Sequence, residues 1–97
     1  MRESVIEKYL IKQVKQIGGT TRKLKYIGRK DATDRLVLLP DYHAFVELKA
    51  PGETSRISQS IEHKKLRASA CEVFEIDTFE GVDNFIDKYL NAKKVHT

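Results

Sequence analysis

The chain has 97 residues, of which 40% are hydrophobic and 33% charged, and its net charge is +4. This length and composition predict one compact, soluble domain, and the modest positive charge favours a polyanionic partner. The single cysteine, Cys71, excludes an internal disulfide and a cysteine-based zinc site, and it suits a reducing cytoplasm. No apolar run is long enough for a membrane span or a signal peptide.

The predicted elements follow the order α-β-β-β-α-β-α. In chain order they are a helix over 3–17, strands over 20–27, 34–39 and 44–49, a helix over 55–69, a strand over 72–77 and a helix over 79–90. Gly18-Gly19 ends the first helix, Pro40-Asp41 makes a turn, and Thr78 caps the last helix. Residues 91–97 are predicted to be a frayed tail. The whole chain, 1–97, therefore forms one α/β domain with a mixed sheet of about four strands flanked by helices.

Charged residues stand at the ends of the two central strands. Asp34 opens one strand, and Glu47 and Lys49 close the next, sharing a face because strand side chains alternate. If these strands pair as a hairpin, all three residues meet at one edge of the sheet. Neighbouring carboxylates repel unless a cation lies between them, and Mg²⁺ binds one or two carboxylates plus water. A lysine beside that ion could stabilise a phosphorane-like transition state or orient the attacking water.

The alternative for these residues is a solvated strand end with a surface ion pair, worth about 0–1 kcal/mol. The ordered set of motifs favours the metal site, because it resembles the PD-(D/E)XK nuclease superfamily and, more narrowly, the short stand-alone VRR-NUC domains of phages and bacteria. The resemblance runs from about Glu3 to Leu90. It rests on the segments "IEKYL", "DRLVLLP", "FVELKAPG", "SQSIEHKKL", "VFEID" and "FEGVDNFI". It implies a restriction-endonuclease-like fold and DNA phosphodiester hydrolysis that depends on Mg²⁺ or Mn²⁺.

The resemblance also implies the roles of individual residues. Asp34 and Glu47 match the metal-binding carboxylates, Lys49 matches the catalytic lysine, and Gln59 matches a glutamine that flanks the site. The first helix is expected to supply one more metal-binding acid. Glu7 is the first choice and Glu3 the second, although an acid in the first turn is also favoured by the helix dipole alone.

Two positions depart from the family pattern. Thr33 replaces a usual proline before Asp34, so Asp31 becomes a competing carboxylate nearby. The usual glycine before the last strand is also missing. His63 follows Gln59 by one helical turn, and it is either a surface histidine or a contact of the site or of DNA.

Basic residues flank the predicted site on both sides, and they are expected to bind phosphates without reading bases. They are Arg22, Lys23, Lys25, Arg29, Lys30, Lys64, Lys65 and Arg67.

Small proteins of this family are expected to act as homodimers on branched DNA such as a four-way (Holliday) junction. We expect the same here, in the cytoplasm of a bacterial cell or a phage-infected host. The alternative is a DNA-binding module of the same fold that does not cleave and that recruits a partner.

Overall fold

The computed structural model describes residues 2–24, 34–52, 57–69 and 71–95, with Asp34 and residues 57–62, 94 and 95 described through their backbone alone. The helices are α1 (Glu3–Gln16), α2 (Ile57–Ala68) and α3 (Phe79–Val95). The strands are β1 (Thr20–Lys23), β2 (Asp34–Leu39), β3 (Tyr42–Leu48) and β4 (Val73–Ile76). The α/β class and the element order predicted from the sequence are confirmed.

The four strands form one mixed sheet in the order β1-β2-β3-β4. The first three strands run antiparallel, and β4 pairs with β3 in parallel, which requires the crossover that contains α2. The β2–β3 hairpin is tighter than the sequence predicts, since Leu39 pairs with Tyr42 across Pro40-Asp41. Asp41 has a φ of 60°, which aspartate tolerates better than most residues. The predicted start of β3 at residue 44 is therefore wrong by two residues.

The end of α1 fixes how this helix meets the sheet. Gly18 adopts a φ of 88°, its N–H donates to the Lys15 carbonyl, and the Gly19 N–H donates to the Val14 carbonyl. These two bonds are the Schellman pattern that glycine permits at a helix end. The predicted stop at Gly18-Gly19 is confirmed, and β1 follows directly.

Helices α1 and α3 pack against each other and cover one face of the sheet. The core lies on this face, where alternate residues of β2, β3 and β4 meet apolar residues of the two helices. Its buried members are Ile6, Leu10, Val14, Val37, Leu39, Ala44, Val46, Leu48, Ile76, Val82, Phe85, Ile86 and Tyr89. Tyr9 also joins the two helices, because its hydroxyl donates to Asp83 at 2.6 Å. That bond raises the pKa of the Tyr9 hydroxyl.

Helix α3 starts as predicted, with the Thr78 Oγ1 accepting from the Gly81 N–H at 2.9 Å. It is longer than predicted, because it continues through residues 91–95, where the sequence indicates a frayed tail. None of the helices in the described ranges combines the length and the apolar character that a membrane crossing requires.

Gly19 provides a direct test of this packing. A Cβ at this position would lie 2.5 Å from Leu39 Cδ2 and 2.8 Å from Val14 Cγ1. Gly19→Ala should therefore lower the free energy of unfolding by about 1–3 kcal/mol, the usual cost of overpacking. Urea denaturation measures it, with Gln16→Ala at an exposed helix position as a control expected within about 0.5 kcal/mol of the wild type. Equal stability of Gly19→Ala and the control would contradict the described approach of α1 to β2.

Candidate active site at the end of strand β3

Two charged residues are buried where β3 ends. Glu47 is 2% exposed and Lys49 is 6% exposed, and both belong to the face of the sheet opposite the core. Lys49 Nζ lies 3.9 Å from Glu47 Oε2, while the Lys49 backbone N–H donates to the Ile76 carbonyl of β4 at 2.9 Å. Charged side chains are rarely buried without partners. The burial of both residues therefore sets them apart from a solvated strand end with a surface ion pair.

A histidine from α2 completes this cluster. His63 is 5% exposed; its Nε2 lies 3.2 Å from Glu47 Oε2, and its Nδ1 lies 3.0 Å from Glu75 Oε1. Glu75 stands on β4 directly beside Glu47 in the parallel register. Each ring nitrogen of His63 therefore lies within ion-pair distance of a carboxylate oxygen. The expectation of a surface histidine is wrong, because His63 is buried and contacts Glu47.

The backbone positions of Asp34 and Gln59 are described, and both belong to elements that contribute to this cluster or pair with it. Asp34 pairs directly with Glu47 in the β2–β3 register. The positions of Asp34, Glu47 and Glu75 thus form one row across three adjacent strands. Gln59 lies in α2, one helical turn before His63.

The acids of the first helix have a different environment. Glu7 Oε2 accepts from Arg35 Nε at 2.7 Å, and the two side chains are 13% and 16% exposed. Arg35 pairs with Val46, a core residue, so this ion pair belongs to the α1 face of the sheet. Arg35 is also the residue after Asp34, so the pair ties α1 to the start of β2. Glu3, the second choice, is half-buried one turn earlier in α1.

Some of the basic side chains are exposed, and others donate hydrogen bonds within the protein. Lys23, Lys64 and Lys65 are exposed. Arg22 donates to Thr20 Oγ1 and the Thr21 carbonyl on its own strand, and Arg67 donates to the Val73 carbonyl at 3.0 Å. Lys25, Arg29, Lys30 and Asp31 lie outside the described residues.

Sequence reasoning missed Glu75 and left His63 undecided. The spacing of His63 from Gln59 was a signal for His63, because residues four apart in a helix lie on one face. Glu75 had only a weak signal, the charged residue within the apolar "VFEID". Its place beside Glu47 depends on the parallel β3–β4 register, which no local pattern specifies.

The donor atoms present fit a small divalent cation. Within the ranges that the structure describes, one ligand atom each from Glu47, His63 and Glu75 lie within 4.8 Å of one another. Carboxylate oxygens are the preferred ligands of Mg²⁺ and Mn²⁺, and an imidazole is compatible with Mn²⁺. The arrangement can therefore hold a cation beside the Lys49 ammonium.

Comparisons with known proteins agree on one family. The chain is 43% identical over 79 residues to "Putative nuclease p44" of Acyrthosiphon pisum secondary endosymbiont phage 1, covering 80% of this chain and 85% of that protein. Its fold matches a solved structure named "VRR_NUC domain" with a TM-score of 0.79 and 36% identity, covering 90% of this chain and 96% of that one. No protein-family model matches the chain.

Proposed function

Because the chain belongs to the VRR-NUC nuclease domains, we propose that it hydrolyses phosphodiester bonds in DNA with a divalent cation, Mg²⁺ or Mn²⁺, at the end of β3. The observation that carries this proposal is the burial of Glu47 beside Lys49. A solvated strand end does not bury a carboxylate and an ammonium together.

Three acids are assigned to the cation. Glu47 is the central ligand, and Asp34 is the second, because directly paired residues of antiparallel strands present their side chains on one face. Glu7 is the third, with Glu3 as the second choice; its bond to Arg35 holds it on the α1 face beside the start of β2, so it would have to reach the cation past the end of that strand. A bound Mg²⁺ supplies Lewis-acid polarisation of the scissile phosphate and lowers the pKa of a coordinated water.

Lys49 acts beside the cation, as the catalytic lysine. Its ammonium is buried and close to Glu47, so it can donate to a phosphate oxygen as negative charge accumulates in the transition state. In a site with little water, such a donor stabilises that charge more than the same group in solution does. Gln59 flanks the site from α2, where an amide can orient the attacking water or a phosphate oxygen.

DNA is proposed to cross the face of the sheet that carries the site. Lys64 and Lys65 are exposed on α2, the helix that also supplies His63, whereas Lys23 is exposed on the edge strand β1 and pairs with Arg35 of the α1 face. With Arg22, Lys25, Arg29, Lys30 and Arg67 they would neutralise phosphates on both sides of the scissile bond.

Glu47→Gln tests this function. The change keeps the volume of the buried side chain but removes the charge that holds the cation. Cleavage of labelled duplex, flap and four-way-junction DNA in Mg²⁺ should fall by more than about 100-fold. DNA binding, measured by fluorescence anisotropy, should stay equal or become tighter, because a negative charge near the phosphates is lost.

Glu80→Gln is the matched control, because Glu80 is an exposed glutamate in the first turn of α3. It should cleave like the wild type. Cleavage by Glu47→Gln within about tenfold of the wild type would refute the assignment of Glu47. Metal-independent binding with no cleavage by the wild type would instead favour a DNA-binding module that recruits a partner.

A pair of variants isolates the role of Glu7. Both Glu7→Gln and Arg35→Met break the ion pair between α1 and β2, and each should lower the free energy of unfolding by about 1–3 kcal/mol. Only Glu7→Gln removes a carboxylate. Cleavage should therefore fall much further in Glu7→Gln than in Arg35→Met, measured at a temperature where both are folded. Equal cleavage by the two would restrict Glu7 to holding α1 in place.

A homodimer is proposed to present two such sites to a branched DNA substrate, such as a four-way junction. An exposed apolar surface on α1 and α3 supports it, since Val5 is 44% and Phe79 37% exposed, and Tyr9 stacks on Phe79 at 4.8 Å. Light scattering should report about twice the 11.2 kDa chain mass, and Val5→Lys should reduce it to one chain. A wild-type monomer that cuts both strands of a junction together would contradict this proposal.

A further inference from the structure

The proposed function assigns neither His63 nor Glu75 as a metal ligand or a catalytic group, yet His63 contacts Glu47 and Glu75 contacts His63. His63 reaches Glu47 from one helix, and Glu75 reaches His63 from the neighbouring strand, at 3.2 Å and 3.0 Å. A histidine with only a packing role would also need a hydrogen-bond partner for each ring nitrogen, but backbone carbonyls or water could supply both. Here both partners are carboxylates that stand side by side in the sheet.

We propose that His63 and Glu75 are positioning residues of the metal site. Glu75 fixes the imidazole ring through Nδ1, and the ring in turn fixes Oε2 of Glu47 through Nε2. The Glu47 carboxylate then keeps one orientation when the cation binds. This inference rests on the proposed function of Glu47 as a metal ligand.

The physical reason is the freedom of a glutamate side chain. Glutamate has three rotatable bonds, and ordering them on binding carries an entropic cost. A contact that orders the carboxylate before the cation arrives removes part of that cost from binding. Groups that orient metal ligands in this way typically change metal affinity by about 10–100-fold.

The two positions also differ in exposure, which makes the inference testable. His63 is 5% exposed, whereas the Glu75 side chain is 39% exposed. Glu75→Gln should therefore disturb folding little. It removes the charge of the carboxylate that contacts His63 Nδ1 and so weakens that contact.

Histidine replacements separate positioning from simple packing. The amide nitrogen of glutamine can reach the place of Nε2, whereas that of asparagine corresponds to Nδ1. His63→Gln should therefore retain the contact to Glu47 and most of the metal affinity, and His63→Asn should lose it. A packing role alone gives no reason for this order.

The experiment titrates Mn²⁺ into the DNA-free protein and follows the free ion by electron paramagnetic resonance. His63→Asn should bind Mn²⁺ about 10–100-fold more weakly than the wild type, Glu75→Gln should bind it several-fold more weakly, and His63→Gln should lie closest to the wild type. His43→Gln, an exposed histidine on β3, is the matched control and should not change. In cleavage assays the affected variants should need more Mg²⁺ but recover kcat at saturation.

A double-variant cycle tests whether Glu75 affects Mn²⁺ binding through His63 or directly. If Glu75 acts through His63, Glu75→Gln should have little further effect on Mn²⁺ affinity in the His63→Asn background. A full additive loss would make Glu75 a direct ligand and overturn the proposal. So would a ¹⁴N coupling to bound Mn²⁺ that disappears in His63→Gln, because the imidazole itself would then be the ligand.

Failure of this inference is distinct from failure of the proposed function. If the wild type binds no Mn²⁺ at the site, the proposed function fails, and this inference fails with it. If the wild type binds Mn²⁺ and cleaves DNA while Glu75→Gln and both His63 variants bind it equally well, only the positioning role is refuted. Should His63→Asn not fold, Glu75→Gln and His63→Gln decide the question.

Discussion

Burying the Glu47 carboxylate on the central strand pair costs several kcal/mol unless other groups compensate its charge, and much of the local architecture serves that need. Among the described residues, Lys49 directly after β3 and His63 on α2 lie beside the Glu47 carboxylate, and Glu75 on β4 is a second carboxylate that contacts His63. A buried charge cluster of this kind stabilises a fold weakly at best. Its presence is therefore better explained by chemistry than by stability.

The sheet separates stability from chemistry by its two faces. Strand residues Ala44, Val46 and Leu48 are buried against α1 and α3, while Glu47 and Lys49 lie on the other face under α2. Because strand side chains alternate, a single strand supplies both sets without compromise. The core can then remain well packed while α2 contributes His63 to the site.

Local patterns predict much of this arrangement. The two-residue period of β3 places Glu47 and Lys49 on one face, and a hairpin with β2 brings Asp34 to the same end. A two-residue turn at Pro40-Asp41 would also have predicted the correct pairing of β2 with β3. The sequence instead placed Tyr42 in the loop, because it directly follows these two turn residues. What the sequence could not reveal depends on long-range pairing. The parallel β3–β4 register that sets Glu75 beside Glu47 and the orientation of α2 that buries His63 are both decided by tertiary contacts. Glu7 illustrates the same limit, since its bond to Arg35 joins elements far apart in the chain.

A crystal structure of the protein grown with Mn²⁺ tests directly whether Glu47 holds a divalent cation. Anomalous scattering identifies the ion without reference to the chemistry around it. We expect an anomalous-difference peak at coordination distance, on the order of 2 Å, from a carboxylate oxygen of Glu47, with Asp34 as a further ligand. A Mn²⁺ ion bound elsewhere, or a Glu47 carboxylate that keeps only protein contacts at saturating Mn²⁺, would contradict it.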